Sequence, residues 1–383
     1  MTLQIRALYP VYSTGSAITH ICLSLCRYMR CADLDVEILF PASDPDGREE
    51  FSRDALPGWL KRVAYKLDPG ASRIRRYTEK KFLSRLQKGD VAYLWPGLSP
   101  ELYQEVRSRG VLVVNERINT HRRTAKRILD EAYRRLGRAP RHGITDEACR
   151  EETAKLQLCD YVFAPSPWVA KSLVDAGIPE DRILLSSYGW DPVRLGREGT
   201  GLDKKPGVTG LFVGRACVRK GVDFLMNAWA AAGVQGRLVV MGAMDPDIAE
   251  ISAAQLRRDD ITHLPYSKNV APIYKSADLF LFPSLEEGSP LVLYEAMASG
   301  LACIISPMAA GEIGRPGIDC LVADPLDRDA WVEAIRRLAG DEGARRKLGE
   351  QARLRAQEFT WEKVALRRRA QLLEASRRSV SAP

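Results

Sequence analysis

The sequence predicts an α/β protein made of two doubly wound parallel sheets that face one another across a cleft. Three observations carry this expectation. Short apolar runs alternate with longer helical stretches, the pattern of strand–helix–strand units covered on both faces. A segment rich in Gly, Pro and charge, 191–207, breaks the periodicity, after which the pattern restarts. The chain of 383 residues is long enough for two domains with separate cores.

In the first block an apolar strand, Leu3 to Tyr9, passes through a loop at Ser13, Thr14, Gly15 and Ser16 into a helix ending near Arg30. Val36 to Phe40, Val91 to Leu94, Val111 to Val114 and Tyr161 to Ala164 are the following strands. In the second block the strands are Gly210 to Gly214, Arg237 to Met241, Ile261 to Leu264, Leu279 to Phe282 and Cys303 to Ile305. Asp329 to Ala339, Glu342 to Phe359 and Trp361 to Arg377 read as helices. The expected domains are 1–192 and 193–383. Ligands of open α/β sheets sit at the carboxyl ends of the strands, so the cleft is the expected site.

Composition narrows the classes. With 45% hydrophobic and 28% charged residues the chain is neither collagen-like, nor low-complexity, nor a coiled coil. No apolar run approaches the roughly 18 residues of a bilayer span. Met1 to Pro10 lacks the pattern of a secretory signal, so a cytoplasmic protein is expected. The eight cysteines are scattered and form no Cys-x-x-Cys pair, which predicts reduced thiols. Net charge is +8, but it is localised: residues 51–141 hold 22 Lys and Arg against nine Asp and Glu. A localised positive field concerns partners rather than fold.

Two segments suit phosphate and sugar chemistry. After the strand ending at Gly214, the loop Arg215-Ala216-Cys217-Val218-Arg219-Lys220-Gly221 leads into a helix. Backbone amides at a helix start, with the cations Arg215 and Lys220, suit a diphosphate. The second segment runs from Phe282 through Glu287, Gly288, Ser289, Pro290 and Leu291 to Glu295 and Gly300. Ser289 reads as a helix cap and Pro290 as the first helical residue. Glu295 then lies among apolar neighbours, where a carboxylate needs donors such as a ribose diol. Three Asp-x-Asp strings, Asp33/Asp35, Asp44/Asp46 and Asp245/Asp247, could hold a divalent cation, but they stand where Asp is expected as a cap.

Glu287 and Glu295 with seven residues between them, preceded by Gly-Arg-x4-Lys-Gly, resemble the retaining glycosyltransferase family 4 (group 1) of GT-B fold. Phe359-Thr360-Trp361 resembles the start of that family's final helix, which crosses back to the N-terminal domain. Asp160 to Ser166 and Tyr188-Gly189-Trp190-Asp191 resemble its interdomain signature. The resemblance implies a nucleoside-diphosphate sugar as donor, held by the C-terminal domain. Arg215 and Lys220 would take the diphosphate, Glu287 the transferred sugar and Glu295 the ribose. Gly214, Gly288, Ser289, Pro290 and Leu291 would line the donor pocket, with Tyr266 near the base and Gly15 near the phosphates. Glu116-Arg117-Ile118-Asn119-Thr120-His121 resembles the segment that brings a histidine, here His121, to the donor sugar. Charge neutralisation by side chains is implied, with no metal and no protein nucleophile.

The expected activity is transfer of a sugar to the hydroxyl of a sugar or lipid-linked acceptor, such as a cell-surface polysaccharide precursor. A nucleotide-sugar epimerase of the same fold and a basic nucleic-acid-binding protein are the rivals. The latter has no recognition signature here, and no nucleic acid is expected as partner. A dehydrogenase is disfavoured, since Ser-Thr-Gly-Ser replaces Gly-x-Gly-x-x-Gly after the first strand. The basic, aromatic segment 57–88 suits an anionic membrane surface, which would place the protein peripherally on the inner face of the membrane.

Overall fold

The computed structural model describes residues 2–15 and 17–381; Ser16 of the first loop lies outside the described residues. The first sheet contains β1 (Leu3–Leu8), β2 (Leu34–Phe40), β3 (Ser52–Asp54), β4 (Val91–Leu94), β5 (Leu112–Glu116), β6 (Tyr161–Ala164) and β7 (Ile183–Leu185). Their order is β3-β2-β1-β4-β5-β6-β7, parallel throughout. The second sheet contains β8 (Val208–Val213), β9 (Gly236–Met241), β10 (Ile261–Leu264), β11 (Leu279–Phe282), β12 (Ala302–Ile305) and β13 (Leu321–Val322). Its order is β10-β9-β8-β11-β12-β13, again parallel. Strand order reverses at β1 and at β8, so each sheet opens a crevice at its carboxyl end facing the other.

Central strands are uninterrupted apolar runs because helices cover both faces. Every residue of β4, β8, β11 and β12 is buried. In the second core Phe280, Phe282 and Phe212 stack at 5.6 and 5.5 Å between ring centroids. The short strands β3, β7 and β13 have no counterpart in the sequence expectation. All three lie at sheet edges, paired on one side, where two or three residues suffice and no apolar run is required. The expected linker contains a short helix, Pro192–Gly196, capped by Asp191 at 2.9 Å from the Val193 amide. The long helix expected over 342–359 ends at Ala356 and tightens into a 3-10 turn, Gln357–Phe359.

The chain crosses between the sheets twice, and the two crossings touch. The Trp190 amide donates to Phe359 O at 3.0 Å, and the Trp361 amide donates back to Trp190 O at 3.2 Å. The Trp190 ring also donates to Ala356 O at 2.8 Å. Beyond this point the final helix, Trp361–Ser381, packs on the helix Ala17–Met29 of the first domain. Arg368 enters the first core from that helix and is fully buried, as is its partner Glu116 at the end of β5. Its guanidinium spans both carboxylate oxygens at 2.6 and 3.2 Å and donates to Tyr93 Oη at 3.2 Å and Ser187 O at 3.1 Å. Tyr188 donates to Glu116 at 3.0 Å, and Tyr93 donates to its other oxygen. Burial alone would lower the Arg368 pKa; Glu116 and then Tyr93 outweigh it and keep the cation.

Removing one member of a buried ion pair leaves an uncompensated charge. Glu116→Ala should therefore lower the unfolding free energy of the first domain by about 3–5 kcal/mol in urea titrations followed by fluorescence. Replacing both residues by apolar ones, Glu116→Leu with Arg368→Met, should recover most of that loss.

Candidate active site between the two domains

The loop after β8 is shaped by close packing. Its 3-10 turn, Val218–Lys220, ends at Gly221 with φ +63°, and a Cβ there would lie 2.5 Å from Pro283 O. Only glycine fits this left-handed position against the β11 loop. The turn leads into the helix Val222–Ala232 and sets three cations at one end of the second sheet. Arg215 is 70% exposed, its Nε held by Asp245 at 2.6 Å. Arg219 donates to Glu286 O at 3.0 Å and lies 3.5 Å from the Glu286 carboxylate and 3.4 Å from that of Glu287. Lys220 is largely buried, paired with Glu287 and 4.8 Å from the centre of the Phe282 ring.

Both glutamates are buried, with different consequences. Burial alone would raise the Glu287 pKa, but Lys220 and Arg219 hold it below the ordinary carboxylate value; Ser284 donates to it at 2.6 Å. Burial does raise the Glu286 pKa, helped by the neighbouring Glu287 and opposed by Arg219. Glu286 also accepts from the Thr120 amide at 3.1 Å and the Thr120 hydroxyl at 2.7 Å. Thr120 belongs to the first domain, so this carboxylate joins the two halves. Beside it Gly288 presses on the first domain: a Cβ there would stand 1.6 Å from Ile118 O.

Between the domains lies a cleft of about 670 Å³. Ile118, Asn119, Thr120, Arg122, Arg141 and Glu152 are among its lining residues from the first domain; Arg215, Cys217, Val218, Arg219, Asp245 and Glu286 line it from the second. A loop after the helix Arg122–Arg135 reaches across, with Arg141 2.7 Å from Asp247 and Arg138 2.7 Å from Glu250. The Asp245/Asp247 string is thus committed to arginines, and Asp44 accepts from the Tyr12 hydroxyl at 2.7 Å.

The structure puts Arg215 on the wall of the cleft and sets the buried Lys220–Glu287 pair and Gly288 next to Arg219 and Glu286, which line it. It brings neither Tyr266 nor Glu295 there. Tyr266 is 64% exposed and lines no part of the cleft. Glu295 is buried, accepts from the Tyr274 hydroxyl at 3.1 Å and faces Arg194 at 3.6 Å. Ser289 does not cap the following helix. Its hydroxyl pairs with Tyr294 Oη at 2.7 Å, Pro290 takes the cap position, and Leu291 begins the helix. Gly214 precedes the cation loop with φ +145°. Gly15, at φ +68°, packs against Asp46, where a Cβ would lie 2.2 Å from Asp46 O. On the first-domain wall sequence reasoning passed over Arg122, Arg141 and Glu152; on the second it passed over Arg219 and Glu286, each adjacent to a residue singled out in the sequence. The signal for these last two was a second charge beside a first one.

His121 departs most from expectation. It is fully buried and does not line the cleft, although Thr120 and Arg122 do. Its Nδ1 accepts from the Arg123 amide at 3.1 Å, capping the helix Arg122–Arg135, and its Nε2 lies 3.1 Å from the Thr153 hydroxyl. Glu152, 3.5 Å away, opposes the effect of burial, but burial and three nearby arginines still lower the His121 pKa to about 4.

The unfolded chain protonates this histidine near pH 6.5, whereas the folded protein resists until about pH 4. Between those values the unfolded state binds more protons, so stability falls as pH falls. Wild type should lose up to about 3 kcal/mol over that window relative to a His121→Asn variant, which keeps a capping side chain. Urea midpoints at pH 7 and pH 4.5 would show parallel changes if the ring is not held neutral.

Residues 207–341 match the family described as "Glycosyl transferases group 1". A D-inositol 3-phosphate glycosyltransferase from Xylanimonas cellulosilytica is 29% identical over 169 residues, 40% of this chain and 39% of that protein. The chain thus spans about two fifths of the length of the curated relatives it matches. Among solved structures, sucrose-phosphate synthase from Thermosynechococcus elongatus superposes with TM-score 0.70 over 100% of both chains, at 20% identity. An Anabaena protein, Alr3699/HepE, in complex with UDP gives TM-score 0.69 over 98% of this chain and 100% of its own, at 13% identity. The two facing sheets are the GT-B fold, and residues 207–341, which carry the cation loop and the paired glutamates, are similar to the group 1 glycosyl transferases.

Proposed function

We propose that the protein is a retaining glycosyltransferase that moves a sugar from a nucleoside-diphosphate donor to an acceptor hydroxyl. The observation that carries this reading is the loop 214–221 with Glu286 and Glu287. It sets Arg215 and Arg219 on one wall of the cleft, with the Lys220–Glu287 pair directly behind them. The family match covers this segment, and the Anabaena relative of the same fold was solved with UDP.

Breaking the bond between sugar and diphosphate puts negative charge on the leaving phosphate. Oriented cations stabilise that charge more in the transition state than in the ground state. Arg215 is held at its Nε by Asp245, and Arg219 is braced on the Glu286 carbonyl. Lys220 is neutralised by Glu287. A diphosphate that competes for this ammonium releases the Glu287 carboxylate to accept from a sugar hydroxyl, so the two assignments are one exchange. The leaving phosphate takes the acceptor's proton, with neither a protein nucleophile nor a metal. His121 acts as a positioning residue: it caps the helix that carries Arg122 and fixes the turn at Thr120.

Arg215→Ala and Lys220→Ala should each lower turnover by about 10²–10³. A nucleotide sugar at a hundred times its Kd should raise stability by about 2.7 kcal/mol. Product NMR should show retention at the anomeric carbon; inversion, or full activity in the Arg215/Lys220 double variant, would overturn the assignment.

We further propose peripheral membrane binding through 57–88. The helix Ser72–Leu83 turns Ile74 and Phe82 into the first core and leaves Arg73, Arg76 and Lys80 outside. The apolar surface comes instead from the preceding segment. Trp59, Val63 and Leu67, spaced four apart, are 80%, 51% and 74% exposed, with Arg62 and Lys66 exposed beside them. Each cation near an anionic leaflet contributes about 1 kcal/mol. No helix among the described residues is long and apolar enough to cross a membrane. The protein should float with anionic but not neutral vesicles at low salt, and Trp59→Glu with Leu67→Glu should abolish it.

A further inference from the structure

The two walls of the cleft differ in charge. The second-domain wall is balanced, with Arg215 and Arg219 set against Asp245 and Glu286. The first-domain wall presents Arg117 and Arg122 against the single carboxylate of Glu152, while Arg141 on the same wall is paired with Asp247 of the second domain. That carboxylate is shared three ways: it lies 2.9 Å from Arg117, 3.4 Å from Arg122 Nε and 3.5 Å from His121 Nε2. It also accepts from the Arg122 amide at 2.6 Å. Burial alone would raise its pKa, but Arg117 and the Arg122 amide hold it below the ordinary value, so it stays an anion.

Even so, one carboxylate does not neutralise this wall. Arg117 is buried, and its Nε has no hydrogen-bond partner among the described residues. The Arg122 side chain is 48% exposed. The neighbouring Glu151 carboxyl is lowered by Lys155 and then by Arg122 and Arg75, so the basic helix Ser72–Leu83 adds to the same field. A nucleoside diphosphate on the opposite wall would already engage Arg215 and Arg219. The surplus on the acceptor side then faces no counter-charge from the donor.

Resting on the glycosyl-transfer reading, we infer that the first-domain wall is an anion subsite and that the acceptor carries a phosphate group. Arg122 is its principal ligand, Arg117 supports it from behind, and Arg141 closes over it from the loop that meets Asp247. A neutral acceptor would leave Arg117 and Arg122 to share one carboxylate in a site that closure dries. The phosphate belongs either to a soluble sugar phosphate or to a lipid-linked sugar diphosphate; the chemistry of the subsite is the same.

The test is equilibrium binding of three probes to the full chain held saturated with UDP or GDP. The probes are inorganic phosphate, a hexose phosphate, and a polyprenyl diphosphate sugar in neutral vesicles. At least one phosphate ester should bind alongside the nucleotide, and Arg122→Gln should weaken it about tenfold or more, as expected for a lost charge-assisted hydrogen bond. Nucleotide affinity should change less than about twofold in that variant. Binding of the hexose phosphate identifies a soluble acceptor, and binding of the vesicle probe alone identifies a lipid-linked one; either supports the inference. It is overturned if no phosphate probe binds, if the nucleotide displaces the probe, or if Arg122→Gln weakens nucleotide and probe equally. Failure of every nucleoside diphosphate to bind would instead overturn the glycosyl-transfer reading itself.

Discussion

Two charges buried in the first core, Arg368 and Glu116, hold the second half of this protein opposite the first. Each ion costs several kcal/mol to remove from water, and the cost is offset only when every partner is well placed. Here Tyr93, Tyr188 and the Ser187 carbonyl surround the pair, and only the Arg368 Nε lacks a hydrogen-bond partner among the described atoms of the two side chains. The return is positional. A guanidinium that must meet both carboxylate oxygens fixes the rotation and depth of the final helix. That helix follows directly from the crossing at Trp190 and Phe359, so the same contact limits how the two sheets can turn relative to each other.

From that frame the cleft acquires a chain of alternating charge. Thr120 of the first domain donates to Glu286, Glu286 faces Arg219, Arg219 faces Glu287, and Glu287 holds Lys220. The groups at its two ends belong to different domains. Domain closure and the position of a buried lysine are therefore linked through four side chains rather than through the backbone alone. The opposed pKa directions of Glu286 and Glu287 fit this order, since two carboxylates side by side share too few cations for both to be held low.

The strands that build both cores were legible because an apolar run flanked by turn residues has few other fates. Leu279–Phe282 and Val208–Val213 are of this kind. Edge strands such as Ser52–Asp54 were not, because their pairing is imposed by a neighbour already in place. The cation loop and Glu287 stood out only in combination, through the resemblance of the loop and the two spaced glutamates to a known family's motif. The role of His121 was not legible: its ring is enclosed by Thr153 and Glu152, far along the chain, and no local pattern reports that. Arg368 stands between Arg367 and Arg369, and nothing in a run of three arginines tells which one turns inward.

The pairing of residue 116 with residue 368 also sets a clock on synthesis. The two are 252 positions apart. At about 5–20 residues per second, a ribosome needs on the order of 10–50 s to reach the arginine after making the glutamate. From the completion of β7 at Leu185 until then, the first seven strands are complete in sequence yet hold an acidic group with no Arg368 to meet it. The first domain to be made is consequently the last to be finished. The second domain has its six strands already translated when the final helix leaves the ribosome and completes the first.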